Sequence, residues 1–420
     1  MSHRYDAIII GAGPAGCTAA ILLAQAGWSV ALVEKSTFPR RKVCGECLAA
    51  TNLPLLDALG VGARFAEQAG PELRKVGLMV GPHVVYAALP ADTATAHPWG
   101  RALGREHLDA MLLQRALEVG ASPWQPWSVK HATRAGSTHR CELLASDTGA
   151  TATLSAPVLI AAHGSWEPDP AHTRPIPSRK RASDLFAFKA TFSGARIAPG
   201  LLPVVAFPGG YGGMVLADHG LATLAFCIRR DALAACRIRH PGRSAALAAV
   251  AQVQLNCVGV SDALAGATLA GAWLGVGPIR PGVRAPWRED GVFAIGNVAG
   301  EAHPILGEGM SMAIQSAFLL SERLVARQDK LRGACVDDST MAAVGRDYAA
   351  SWRRSFIPRI RVAAVLAHLA MRPDASRPLL PLLQRWPALL TATAQLGAKV
   401  RHVVRPAVVR GIQHHAQERG

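Results

Sequence analysis

The sequence predicts an α/β fold: a Rossmann-like dinucleotide-binding domain, an inserted antiparallel-sheet domain carrying the substrate site, and a C-terminal helical region. Three observations predict it. The chain opens with Asp6-Ala-Ile-Ile-Ile-Gly11-Ala-Gly13-Pro-Ala15-Gly16, an Ala/Leu-rich stretch and Trp28-Ser-Val-Ala-Leu-Val-Glu34. β-like alternation fills residues 185 to 230, and helical periodicity fills the chain beyond about 340.

The first 34 residues read as strand, glycine turn, helix and second strand ending in an acid. Gly11 permits the tight turn, Gly13 lets backbone approach a pyrophosphate, and Gly16 lets helix and strand pack closely. The helix N-terminus faces the phosphates, and Glu34 sits where an acid binds ribose hydroxyls. The unit continues to a helix cap and turn at Ala58-Leu-Gly60-Val-Gly62. Arg105 to Gly120 has apolar residues three and four apart and ends in glycine, which predicts a helix. Ala156 to Ala162 predicts a buried strand running into a turn at His163-Gly164. Phe186–Phe192 and Leu221–Ile228 predict strands of a separate antiparallel sheet, with a glycine-rich hairpin at Gly209–Gly213. Val292 to Gly296 returns to buried-strand character before a loop and a helix from Gly309 to Leu324. Trp352, Phe356 and Ile360 share one helical face, and Pro358 should kink that helix.

Composition narrows the partners. At 420 residues and 50% apolar, the chain can bury a large core. Eight scattered cysteines, with no signal-peptide pattern ahead of Asp6, predict reduced thiols in the cytoplasm. Residues 341 to 420 hold 13 Lys/Arg against 3 Asp/Glu, which is +10 of the formal +16. No nucleic-acid-binding pattern accompanies that charge, so the expected partner is an anionic membrane surface, an acidic carrier protein or an anionic substrate. The apolar run from Leu379 to Leu390 contains two prolines, Gln384 and Arg385, which argues against a membrane span and leaves an interfacial helix or simple packing. Cys44-Gly-Glu-Cys47 has no second ligand pair for zinc and lacks the setting of a redox dithiol, so Cys47 is expected to pack.

Two further motifs are Phe38-Pro-Arg40-Arg41-Lys-Val-Cys44-Gly45-Glu46 and Gly296-Asn297-Val-Ala-Gly-Glu-Ala-His303-Pro304-Ile-Leu-Gly307-Glu-Gly309-Met310. With the opening unit they resemble the geranylgeranyl reductase branch of the para-hydroxybenzoate hydroxylase-type flavoproteins, a superfamily that also holds monooxygenases and halogenases. The resemblance covers roughly residues 1 to 330 and implies FAD in a glutathione-reductase-type βαβ domain. It divides the chain into a discontinuous FAD-binding domain (1–65, 100–170 and 285–330), a substrate-binding sheet domain (66–99 and 171–284) and a helical region (331–420). It implies cofactor contacts from Gly11, Gly13, Ala15, Gly16, Glu34, Lys35, Arg41, Cys44, Gly45, Arg105, Asn297, Pro304, Gly307, Gly309 and Met310. Cys44, Glu46, Tyr211 and His303 are the catalytic candidates.

Two departures bear on chemistry. His163 stands where classical hydroxylases of this fold carry an aspartate, which leaves NAD(P)H and an external flavin reductase both open as electron source. Of the family's Tyr-x-Trp-x-Phe-Pro substrate motif, the segment Pro208 to Leu216 keeps only Tyr211, so a different apolar pocket is expected. The expected function is two-electron transfer at flavin N5 to or from a small apolar or lipid-like substrate. The alternatives are oxygen-dependent hydroxylation or epoxidation, halogenation using Lys75, and a membrane-docked electron carrier that is not an enzyme.

Overall fold

The computed structural model describes residues 2–165, 180–332, 336–372, 374, 377–396 and 403–404. The start of the predicted substrate domain's second segment, 171–179, and the end of the predicted helical region, 405–420, lie outside the described residues.

The opening segment folds as the glycine spacing requires. Ala7–Ile10 is a strand, Pro14–Gln25 a helix and Val30–Val33 a strand parallel to the first. Gly11 has a φ of 104°, and a Cβ there would lie 2.7 Å from the Ala162 carbonyl oxygen. A Cβ on Gly16 would lie 1.8 Å from the Gly11 oxygen, so both positions exclude any side chain. The parallel sheet has the order Val292–Ala294, Val158–Ala161, Ala7–Ile10, Val30–Val33, Ser122–Trp124.

Its strands are buried on both faces, which is why they read as unbroken apolar runs. Ala7 and Ile9 face a core shared with the helices Pro14–Gln25, Arg105–Glu118 and Gly309–Val325. Ile8 and Ile10 face a second core with Cys141, Leu143 and Leu154. Those three residues belong to a four-stranded sheet of Ser2–Arg4, Trp127–Ala135, Thr138–Ala145 and Thr151–Ala156. No strand from 127 to 155 is expected from the sequence, so this sheet is a structural finding. This sheet covers one flank only, and its outer strand Trp127–Ala135 is half polar.

The larger sheet joins distant segments. Lys75–Val80 and His83–Ala88 extend a sheet formed by Leu185–Ser193, Leu201–Phe207, Gly210–Ala217 and Leu221–Arg229. Its pairings are antiparallel except that of Lys75–Val80 with Leu201–Phe207, which is parallel. The glycine-rich segment differs from expectation. Gly210 to Gly213 lie within a strand, and the turn falls at Pro208-Gly209. The helices Arg230–Arg239, Ala245–Asn256 and Val258–Leu264 contribute to the core on one side of this sheet.

The helix Asp338–Ala370 runs through Pro358 as one element and buries Tyr348, Trp352, Phe356 and Ile360 in the main core. The Tyr348 hydroxyl donates to the Ala294 carbonyl at 2.8 Å, fixing the helix to the edge of the parallel sheet. Among the described residues no helix is long and apolar enough to cross a membrane.

Candidate active site

A cavity of about 320 Å³ runs from the opening glycine turn to the larger sheet. One end is formed by Gly11, Gly13, Ala15, Glu34 and Lys35, the other by Phe188, Val204, Tyr211, Met214 and Phe226. Between them lie Cys44, Gly45, Glu46, Arg105, Asn297, Pro304, Gly307, Gly309 and Met310. The two motifs that are almost 300 residues apart in sequence therefore line one cavity.

The cavity fits a dinucleotide. Cβ atoms added to Gly45 or Gly309 would meet nothing within 4 Å, and one on Gly13 would approach only the Arg105 guanidinium, at 3.8 Å. These glycines leave room on the cavity side for a ligand to lie against bare backbone. Glu34 accepts the backbone N–H of Ala12 at 3.0 Å and that of Ser36 at 2.9 Å, so it also holds the turn. The Arg105 guanidinium is fixed by a two-point contact with Asp109, both bonds 2.7 Å, which presents it beside the turn without rotamer freedom.

Some residues sit elsewhere than expected. Arg41 is absent from the cavity wall and turns toward the larger sheet, donating to the Ala272 carbonyl at 3.2 Å and Thr191 at 3.4 Å. Arg40 lines the cavity instead and pairs with Glu34 at 3.2 Å. Cys47 is buried in a short strand, as packing predicts. Lys75, the halogenation candidate, is exposed at the start of its strand and does not line the cavity.

Glu46 is almost wholly buried, at φ 62°, and is gripped from both sides. Lys189 of the larger sheet pairs with its carboxylate, Thr223 donates to it at 2.5 Å, and the Arg105 backbone N–H donates at 3.2 Å. The carboxylate thus bridges the dinucleotide-turn side to the larger sheet. Lys189 was not foreseen, because a lysine within Leu185–Ser193 reads as an exposed residue of an alternating strand. It is 1% exposed.

Tyr211 and His303, ninety-two residues apart, meet with the hydroxyl 3.0 Å from Nδ1. Tyr211 faces the cavity and His303 stands behind it, outside the lining, with its ring 5.7 Å from that of His368. Burial holds the tyrosine hydroxyl well above its ordinary range. Glu301, inside the quoted motif but unmarked as a candidate, also lines the cavity, and burial pushes its carboxyl up. Asn297 donates to it at 3.2 Å, and Arg284 lies 3.5 Å away.

Burial also lowers two histidines, His303 and His139, to about 4. Both take up their proton more readily in the unfolded chain, whose histidines titrate near 6.5. Stability is therefore complete above pH 6.5 and falls as the pH drops toward about 4, by up to ~3 kcal/mol for each group. Urea unfolding across that window should show this slope, reduced in His303→Phe and His139→Phe; equal slopes in both variants and the parent would contradict it.

A Rossmann-like glycine turn and a distant glycine loop on one cavity, faced by an antiparallel wall, make the architecture of an FAD-binding fold. Residues 4–189 match the family model described as the FAD binding domain, and the chain has the fold of the geranylgeranyl reductase and para-hydroxybenzoate hydroxylase-type flavoproteins. FAD is its cofactor. Menaquinone reductase of Mycobacterium tuberculosis is 32% identical over 116 residues, a match spanning 28% of each chain. Among solved structures, the myxobacterial chondrochloren halogenase superposes with a TM-score of 0.73 at 18% identity, covering 99% of this chain and 97% of that one. A geranylgeranyl bacteriochlorophyll reductase-like protein of Thermoplasma acidophilum gives a TM-score of 0.70 at 17% identity, covering 99% and 100%.

Proposed function

We propose that this chain is an FAD-dependent oxidoreductase that moves two electrons to or from a small apolar, lipid-like molecule. The observation that carries the proposal is the single cavity whose one end is a dinucleotide turn and whose other end is an apolar sheet face. When bound, FAD supplies two-electron exchange at its N5. The chain's own groups supply the rest. The glycine turn, Arg40 and Arg105 grip the cofactor's phosphates and ribose; Phe188, Met214 and Phe226 exclude water from the substrate. Tyr211 keeps a proton at its hydroxyl, and Glu301 holds one more readily than an exposed carboxylate. Both are placed to donate to, or accept from, a substrate in front of the larger sheet. Cys44 and Glu46 contribute polarity and bracing at the same wall.

The name of the menaquinone reductase relative, and that of the reductase-like structural neighbour, support a reductase acting on a prenylated substrate. A cavity walled by residues of the larger sheet supports an enzyme over a bare electron carrier. The halogenase neighbour makes oxygen-dependent chemistry the competing reading. The experiment supplies FAD-loaded protein with NADPH, or with an external flavin reductase, and a prenylated naphthoquinone or a long-chain alkylphenol. Turnover under strict anaerobiosis, with a product differing by two hydrogens, is the expected result. A product that gains an oxygen atom or a halogen, formed only in air, would replace this proposal with the competing one.

A further inference from the structure

We propose that the C-terminal helices form a docking face for an anionic lipid bilayer. The proposal is independent of the reaction assigned above. Among the described residues, six of the thirteen exposed large apolar side chains lie within 365–389: Val365, Leu369, Leu379, Leu382, Trp386 and Leu389. The last four are spaced three, four and three apart through the turn Arg377–Leu379 and the helices Leu380–Arg385 and Ala388–Leu396. Such spacing puts Leu379, Leu382 and Trp386 on one stripe, and Leu389 is exposed just past the helix break at Trp386. The adjoining residues Leu380, Leu383 and Leu390 are already occupied, packing against Val80, Val85 and Ala206 of the larger sheet. The segment thus carries apolar residues beyond those the sheet covers. Thr391 ties it down by donating to the Ala88 carbonyl at 2.7 Å. Ala370, next to Leu369, packs in the same cluster as the covered leucines, which brings the end of the long helix alongside.

Charge selects the occupant. Residues 348–417 contain eleven Lys/Arg and one acid, Asp374. Arg361, Arg372 and Arg385 are exposed around the apolar stripe. Leucines and a tryptophan, half out of the protein and flanked by arginines, match the boundary between acyl chains and anionic headgroups. Trp386, 55% exposed, is the residue type that prefers that depth. Near such a surface each arginine contributes about fivefold in affinity, lost as salt rises.

The test is co-sedimentation of the FAD-loaded full chain with phosphatidylglycerol vesicles and with phosphatidylcholine vesicles at two salt concentrations. Binding to phosphatidylglycerol at least tenfold tighter than to phosphatidylcholine, and weakened by salt, is expected. Arg385→Glu should weaken it several-fold, and Trp386→Ser with Leu382→Ser should abolish it, with bound FAD and near-ultraviolet circular dichroism unchanged. Vesicles should also shift tryptophan emission to the blue, and Trp386→Phe should bind but lose most of the shift. The proposal fails if phosphatidylglycerol vesicles leave the protein in solution. It fails equally if the Trp386→Ser, Leu382→Ser variant binds as well as the parent, which would assign binding to other basic residues. Sedimentation velocity showing a dimer that the Trp386→Ser, Leu382→Ser variant lacks, or binding to an acidic carrier protein in place of vesicles, would also overturn it.

Discussion

Gly13→Trp should give a folded, colourless protein. Gly13 lines the cavity and only the tip of Arg105 approaches the position of its missing Cβ, so an indole there fills the space of the pyrophosphate without disturbing the core. Circular dichroism and the unfolding midpoint should stay close to those of the FAD-free parent, while the oxidised-flavin absorbance disappears and added FAD neither restores it nor raises the midpoint. The loss should exceed a hundredfold in affinity, about 3 kcal/mol. Gly16→Val is the contrasting case, because its side chain would fall on the Gly11 carbonyl, and it should fail to fold rather than lose FAD selectively. A yellow Gly13→Trp protein would remove the pyrophosphate from this turn.

Lys189→Met should be strongly destabilising. It leaves the Glu46 carboxylate in a dry interior with Thr223 and one backbone N–H but no countercharge. Removing one member of a buried ion pair costs about 3–5 kcal/mol, most of it desolvation of the stranded partner. Adding Glu46→Gln to Lys189→Met should recover much of that loss, since the charge is then gone as well. Denaturant unfolding of the two single variants and the double variant measures the coupling. If the double variant were less stable than Lys189→Met by the full cost of Glu46→Gln alone, the two side chains would not act as a pair.

The dinucleotide half of the molecule was legible because local constraint and function coincide there. Gly11, Gly13 and Gly16 are dictated by backbone clearance, and the strands beside them are buried on both faces, so each leaves a signature within a few residues. The helices at Arg105 and Gly309 were equally plain. The larger sheet was read only in part. Its glycines at 210 and 212 look like a turn, yet they sit in a strand where the Phe207 ring at the first, and the Phe226 Cβ and Ala225 carbonyl at the second, take the space that side chains would need. At the site, Tyr211 and His303 were named separately, and nothing local shows that they touch. Lys189 and Glu301 escaped notice because their burial depends on partners over a hundred and over sixteen residues away, Glu46 and Arg284. The exchange of Arg40 for Arg41 is a matter of which of two adjacent side chains turns inward, which sequence spacing does not decide.

The helix Asp338–Ala370 touches both ends of this design. Near its start Tyr348 holds the last strand of the parallel sheet, and at its far end Ala367 packs in the cluster that contains Tyr211. Midway, the Trp352 ring fills the space beside Gly300, where a Cβ would fall 2.5 Å from it. Positions 300 and 352 consequently behave as one heritable unit: a lineage that enlarges the first must shrink the second, and the tail cannot drift away from the nucleotide-binding half.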